Sequence, residues 1–181
     1  KKALTITTND ASCIYGETPN LSASASGWEY TDTDTLLNGT VTYDQSLVDV
    51  NTYSEVITST YENNNYTIEI VKGDLVITKR DLTITINDLT TVYGVAPTLK
   101  ATANNWASVH GHNDTLLETT LFYDTTKVDV GNYVDIIDTT YTNDNYNITT
   151  IKGDLTITRK NLGDTDVTYE AITPLNYTGS P

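Results

Sequence analysis

The segment His110–Asp114, which reads His-Gly-His-Asn-Asp, carries the densest group of potential metal ligands in this sequence. Two imidazoles and a carboxylate suit Zn²⁺, but a structural zinc site takes about four ligands, usually fixed by regular secondary structure. The matching segment earlier in the chain, Tyr30–Asp34, contains no histidine. We therefore expect a solvated loop at His110–Asp114, with no metal and no cofactor.

Two tryptophans, Trp28 and Trp106, recur at one position of an internal repeat. An exposed indole can stack on a sugar ring, which makes both residues candidates for partner binding, alongside His110, His112 and Asp114. A tryptophan that recurs in a small β domain more often fills the core or the seam between domains. We expect the core or seam role for both.

Clustered Asp and Asn side chains raise the possibility of calcium binding at Asp32, Asp34 and the segments 63–65 and 143–145. Calcium takes about six to eight oxygen ligands, and no D-x-[DN]-x-[DN]-G loop is present. Asn and Asp are also common in turns, because they tolerate the left-handed conformation and bond to nearby backbone. We expect turns at these places.

Sequence signatures of catalysis are missing: there is no Gly-x-Ser-x-Gly, P-loop or His-Glu-x-x-His motif. Cys13 and Gln45 could in principle form a thioester, but Thr91 replaces Cys13 in the second repeat. A repeated isopeptide bond would need a shared buried lysine, and the shared lysines Lys72 and Lys152 lie at predicted turns. We predict that the chain is not an enzyme.

Composition narrows the possible partners. The 181 residues carry a net charge of −14 and a pI near 4.2, which argues against nucleic acid or an anionic membrane as partner. Thirteen tyrosines and no methionine favour β-structure. One cysteine excludes an intrachain disulfide, and no signal peptide or run of about 18 apolar residues is present.

The sequence contains an internal repeat, in which nearly the same pattern of residues occurs twice. Motifs recur 78 residues later up to Trp106 and 80 residues later from Asp114 onward, so the second copy has two extra residues between these positions. The matched motifs are Leu4–Thr7 with Leu82–Thr85, Tyr15-Gly16 with Tyr93-Gly94, Asp49-Val50 with Asp129-Val130, Asn65-Tyr66 with Asn145-Tyr146, and Gly73–Leu75 with Gly153–Leu155. We predict domains at 1–80 and 81–160, with 161–181 as the start of a truncated third module or a linker.

Alternation of apolar and polar residues predicts strands in both repeats. They lie at 4–7, 21–26, 40–43, 53–58, 66–70 and 74–78 in the first repeat and at 82–86, 99–103, 120–123 and 133–137 in the second. Lys72-Gly73 and Lys152-Gly153 are predicted hairpin turns, and Asp34 and Asp114 are predicted N-caps of single helical turns. The fold class is all-β: two tandem small modules, each an Ig-like sandwich or a β-grasp-like sheet. The junction 77–82 contains no Gly, Pro or Ser, which predicts a stiff, end-to-end, elongated rod.

The ordered motifs Leu-Thr-Ile-Thr, Tyr-Gly-x-x-Pro, Val-x-x-Tyr, Asn-Tyr-x-Ile and Gly-Asp-Leu-x-Ile-Thr resemble the MBG domain of the YGX type, over residues 3 to 160. Asn51 departs from the pattern where Gly131 keeps it. The resemblance implies a secreted or cell-wall-anchored adhesin of lactobacillus-like Gram-positive bacteria, and it implies no mapped binding site.

These observations predict a monomeric, non-catalytic, extracellular repeat region that acts as a stiff stalk projecting an adhesive tip. The alternative is that the repeats themselves bind host mucin, other glycans or extracellular matrix weakly, with avidity from copy number.

Overall fold

A computed structural model describes residues 1–163 of the chain, and the predicted third module lies almost wholly outside the described residues. Module 1 consists of seven strands: β1 Lys2–Thr8, β2 Ala11–Ile14, β3 Ala23–Ser26, β4 Val41–Thr42, β5 Asn51–Ser59, β6 Tyr66–Val71 and β7 Gly73–Thr78. Module 2 repeats them as β8 Arg80–Ile86, β9 Leu89–Val92, β10 Ala101–Asn104, β11 Leu121–Tyr123, β12 Gly131–Thr139, β13 Tyr146–Ile151 and β14 Gly153–Thr158.

Each module builds two sheets from its own strands. The orders are β3-β1-β6 and β2-β7-β5-β4 in module 1, and β10-β8-β13 and β11-β12-β14-β9 in module 2. The prediction of an all-β chain with two tandem modules is confirmed. Within residues 1–163 the only helical segments are 3₁₀ turns at Asp34–Leu37, Ser108–His110 and Asp114–Leu116. These turns are shorter than the helix of a β-grasp fold. Because β1 and then β2 run beside β6 and then β7, the two sheets of each module continue into each other as one curled unit.

The core follows from strand alternation. Leu4 and Ile6 of β1 are buried on one side of the three-stranded sheet, and Leu75 and Ile77 of β7 on one side of the four-stranded sheet. Thr8 ties the sheets together, because its buried hydroxyl donates to the carbonyl oxygen of Ile57 at 2.7 Å. Alternate residues of each strand therefore supply the interior, as the period of two requires.

The glycines at 73 and 153 do not form the hairpin turns predicted from Lys72-Gly73 and Lys152-Gly153. β6 pairs in parallel with β1, and β7 pairs in parallel with β2, so the chain passes at Gly73 from one sheet to the other. A Cβ on Gly73 would lie 2.7 Å from the carbonyl oxygens of Thr8 and Asn9. The crossing of two backbones requires the glycine, and the prediction of a hairpin turn here is wrong.

The parallel pairing also places the chain termini of a module at opposite ends. β1 followed by β2 runs beside β6 followed by β7 in the same direction, so the chain enters where β1 begins and leaves where β7 ends. A run from Lys2 to Ile14 spans roughly 40 Å at about 3.3 Å per residue. We call the end where β1 and β6 begin the proximal end and the end where β2 and β7 finish the distal end, and use the same names for module 2.

The predicted N-caps are also corrected by the structure. Thr33 precedes the first 3₁₀ turn and Asn113 the third, and the Asn113 side chain accepts a hydrogen bond from the Thr115 amide. Asp34 and Asp114 are the first residues inside these turns. Their carboxylates are bonded to a different part of the module.

Candidate functional site

Trp28 and Trp106 occupy the same setting in the two modules. The indole nitrogen of Trp28 donates to Oδ1 of Asp34 at 2.8 Å, and that of Trp106 donates to Oδ1 of Asp114 at 2.8 Å. Each carboxylate also accepts a backbone amide from the edge strand β3 or β10. Asp114 thus joins Trp106 to a strand and a 3₁₀ turn, a contact that the sequence motif alone does not reveal.

Each indole is half-buried among tyrosines. The Trp28 ring meets the rings of Tyr61 and Tyr66 edge-on, both with centroids 5.7 Å apart. Trp106 meets Tyr141 and Tyr146 in the same geometry, at 5.6 and 5.8 Å. These T-shaped contacts and the indole hydrogen bond hold each tryptophan in place at the proximal end of its module.

His112 stands where module 1 has Asp32. In module 1 the Tyr66 hydroxyl donates to Asp32 Oδ2 at 2.7 Å; in module 2 the Tyr146 hydroxyl lies 2.7 Å from Nδ1 of His112. The Tyr146 hydroxyl also accepts the backbone amide of Ala107, so it has its own hydrogen to give to a neutral imidazole. Burial, and then the nearby His110, lower the pKa of His112, which favours this neutral form.

The candidate metal ligands are engaged in internal contacts. The ring centroids of His110 and His112 are 6.5 Å apart, and Asp114 is bonded to Trp106. Among residues 1–163 there is no group of three or more His, Cys, Asp or Glu side chains arranged to hold a metal ion. At the candidate calcium segments, Asn63 and Asn143 each accept the amide of the residue two positions later, which is turn geometry.

Cys13, the thioester candidate, lies on β2 and is half-buried. Burial, with a smaller contribution from Glu17, raises the pKa of its thiol. Reactive cysteines need the opposite shift, because the thiolate is the nucleophile.

The most developed constellation of polar groups joins the two modules. A single residue, Lys79, separates β7 from β8. Arg80, the first residue of β8, donates from Nε to the Tyr15 carbonyl at 2.7 Å, from Nη1 to Asn105 at 2.8 Å and from Nη2 to Glu17 at 2.9 Å. Its side chain is only 13% exposed. A guanidinium with its donors fixed in a planar fork is suited to clamping two bodies together.

An apolar contact lies beside this clamp. Tyr15, at the distal end of module 1, is 3% exposed. Its ring packs on His110 of module 2 with centroids 4.8 Å apart and on Tyr146 at 5.5 Å. His110 belongs to the segment between Trp106 and Asp114, which contains the two additional residues of module 2 and the 3₁₀ turn Ser108–His110. The buried residues of the two modules are continuous through Tyr15 and Ala107.

Asn145 closes the other side of the junction. Its Oδ1 accepts the Val50 amide at 2.8 Å, and its Nδ2 donates to Asp49 Oδ1 at 2.8 Å. Its own carbonyl accepts the Arg80 amide at 3.1 Å. We call the set of Tyr15, Gly16, Asp49, Val50, Arg80, Ala107, His110, Asn145 and Tyr146 the junction.

Of the candidates named from sequence, the structure brings His110 and His112 to the junction, places Trp106 beside it, and leaves Trp28 at the proximal end of module 1. The principal junction residues Arg80, Tyr15 and Asn145 were not singled out as site residues. The repeated Tyr-Gly and Asn-Tyr motifs were the available signal, but a motif shared by both modules does not show that it meets its partner across their boundary.

Two tandem all-β modules with the same strand order, joined end to end, define a modular repeat protein. The chain matches the family model of the MBG domain (YGX type) twice, over residues 4–76 and 82–156, and it belongs to that family. No curated protein and no solved structure gives a significant match.

Among residues 1–163, the structure contains no helix with the length and apolar character of a membrane span.

The lowered pKa of His112 predicts a stability that depends on pH. The unfolded chain binds the proton more readily than the folded one, so the stability is complete above the ordinary pKa of 6.5 and is lost as the pH falls from there to the lowered folded pKa. We expect the melting temperature of the chain to decrease as the pH is lowered from about 7.5 to about 5. Asp44 and Asp124 have pKa values lowered below 3.8 by hydrogen bonds to Ser46 and Thr126, so they titrate outside this window.

The matched control is His112→Asp, which introduces the residue that module 1 carries at this position. Its carboxylate can accept the Tyr146 hydroxyl, as Asp32 accepts that of Tyr66. We expect the fall in melting temperature between about pH 7.5 and about pH 5 to be reduced in the variant. An unchanged fall would show that His112 is not its origin.

Proposed function

We propose that the chain is a length-setting stalk segment of an extracellular surface protein, in which monomeric modules hold a fixed end-to-end arrangement. The MBG domain is a non-enzymatic repeat type, and its repeats fit the repeat region of a surface protein. Cell-wall anchoring and a binding tip beyond this segment are parts of the same proposal.

The junction is the observation that carries the proposal. A one-residue linker alone would still allow hinge motion, because a single residue has two rotatable backbone dihedrals. Here the rotation is opposed on three sides: by the Arg80 clamp, by the buried Tyr15 ring and by the paired bonds of Asn145. Relative motion is the default for two linked domains unless their interface is large and apolar, so the proposal depends on these polar bonds acting together with the buried aromatic contacts of Tyr15.

The topology supports the same function. Because β1 and β7 run in the same direction, entry and exit lie at opposite ends, and each added module lengthens the chain by roughly 40 Å at about 3.3 Å per strand residue. The excess of acidic over basic side chains, 24 against 10, keeps such a surface soluble and self-repelling.

Spin-label distances test the stiffness. Ser24 on β3 and Thr102 on β10 are exposed and occupy equivalent positions. With Cys13 replaced by Ser and cysteines introduced at these two sites, we expect a single narrow distance distribution in electron double resonance. A control chain with a Gly-Ser segment inserted between Lys79 and Arg80 should give a broad one. A broad distribution in the chain with its native junction would contradict the proposal.

Mucin, glycan or matrix binding by the repeats is the competing function. The two tryptophans that could stack on a sugar are hydrogen-bonded to Asp34 and Asp114 and packed against tyrosine rings. No separate observation therefore favours a binding function. A glycan array run on one, two and four modules separates the functions. A stalk gives no signal, whereas a binder gives a signal that grows with the number of modules.

A further inference from the structure

The distal ends of the two modules carry the same side chains. Tyr15-Gly16 in module 1 corresponds to Tyr93-Gly94 in module 2, and Asp49-Val50 corresponds to Asp129-Val130. The backbone is also alike, since Gly16 and Gly94 have φ values of 81° and 82°. Both turns need glycine for that conformation. The two distal ends therefore share these four residues and the glycine turn, and they differ at the next position, where Val95 stands in place of Glu17, the partner of Arg80 in module 1.

Among residues 1–163, this surface is covered in module 1 and uncovered in module 2. Tyr15 is 3% exposed against 48% for Tyr93. A Cβ on Gly16 would meet the Ala107 methyl at 2.7 Å, while no atom of the described residues lies within 4 Å of the same position on Gly94. The difference comes from the neighbour and not from the surface, because module 2 itself is what covers Tyr15.

The uncovered surface exposes several apolar side chains. Val95 replaces Glu17 and is 58% exposed, and Val128 and Val130 are 57% and 49% exposed. Leu162, which corresponds to Leu82 in the repeat, is 69% exposed. Contiguous exposed apolar side chains rimmed by charge are typical of interaction sites.

We propose that the distal end of module 2, formed by Tyr93, Gly94, Val95, Asp129 and Val130, is a docking surface for the proximal end of another MBG module joined to it in tandem. This inference rests on the proposed stalk function. The docking module needs a small residue at the position of Ala107, because that residue contacts Gly94. It also needs an Asn at the position of Asn145 to form hydrogen bonds with Asp129 and Val130. A Tyr at the position of Tyr146 would pack on the ring of Tyr93.

A second copy of this chain does not meet these requirements. Its free proximal end carries Glu29 where Ala107 stands, as their equivalent amide bonds to Tyr66 and Tyr146 show. Glu29 is bonded to Lys2 at 2.8 Å, and module 1 lacks the two additional residues near His110. The docking surface is therefore selective for a proximal end of the module 2 type, and the chain stays monomeric.

A tandem duplication of residues 80–159 within the full chain tests the proposal. It gives module 1, module 2 and a second copy of module 2, with Arg159 in the linker position of Lys79. Spin labels at Thr102 in both copies of module 2 report on the new junction, and labels at Ser24 and the first Thr102 report on the native one. We expect the same narrow distance distribution at both junctions. We also expect several-fold lower hydroxyl-radical labelling of Tyr93 in the first copy of module 2 than in the parent chain, while Tyr93 of the second copy stays labelled. As the matched control, Ala107→Glu in the second copy alone should broaden the new distribution and restore Tyr93 labelling.

The outcomes separate this proposal from the stalk function. A narrow native junction with a broad new junction would overturn the docking surface and leave the stalk proposal standing. Broad distributions at both junctions would overturn the stalk proposal. Concentration-dependent dimers of the parent chain that disappear in a Tyr93→Glu variant would overturn the selectivity for a module 2 type of proximal end.

Discussion

Gly153→Ala is expected to unfold module 2 or to destabilise it by about 3 kcal/mol or more, at the upper end of what overpacking costs. The added Cβ would lie 2.6 Å from the carbonyl oxygen of Asn87 and 3.1 Å from that of Ile86. Both are backbone atoms, Ile86 at the end of β8 and Asn87 just beyond it, so no side-chain rotation can relieve the contact. Denaturant unfolding followed by Trp106 fluorescence measures the effect.

Gly131→Ala is the matched control in the same module. Its Cβ would approach only the Tyr133 ring, at 3.4 Å, and module 1 has Asn51 at this position. We expect a change within about 0.5 kcal/mol, as for most surface substitutions. Equal losses in the two variants would show that glycine is needed for some reason other than the backbone crossing.

Ala107→Glu is expected to separate the modules while leaving both folded. Ala107 is 2% exposed and lies against Gly16 at the junction, whereas Glu29 occupies the same place in module 1 without disturbing that module. Re-exposure of Tyr15 and its neighbours should remove roughly 2–4 kcal/mol of coupling between the modules, at about 25 cal/mol per Å² of apolar surface. We expect the single narrow spin-label distribution to broaden and module 1 to unfold at lower denaturant.

Glu29→Ala is the reciprocal control. It removes an exposed ion pair with Lys2, which contributes little to stability, and it does not touch the junction. Its distance distribution should match that of the parent chain. A native-like distribution in Ala107→Glu would mean that the Arg80 and Asn145 bonds suffice without the apolar contact.

Much of the architecture could be predicted from the residues in order. The duplicated motifs predict two modules, and the alternation in Leu4–Thr7 and Leu82–Thr85 predicts strands. The segment 77–82, which lacks Gly, Pro and Ser, predicts a direct strand-to-strand connection. The short strands Ala11–Ile14 and Leu89–Val92 were missed, because their exposed alternate positions carry no strong apolar period.

The role of the Gly-Asp-Leu motif could not be predicted in this way. Glycine beside lysine between two apolar runs is typical of a hairpin, and only the positions of β1 and β2 show that Gly73 lies at a crossing of two chains. The next residue, Asp74, then accepts the amide of Glu55, which has a φ of 55° in the irregular part of β5. Both partners are remote in sequence, so no local pattern contains them.

The sequence by itself determined the β class, the duplication, the family and the absence of recognisable catalytic motifs, because these depend on residue types and on periods that are read within a few positions. Only the tertiary structure decided that the first and last strands of a module are parallel, that Tyr15 and Arg80 close a junction, and that the identical Tyr93 is left open. Tyr15 and Tyr93 belong to the same local motif, but only Tyr15 is covered by a neighbouring module among the described residues. The residues that cover Tyr15 are remote in sequence, so the residues on either side of the tyrosine do not indicate the contact.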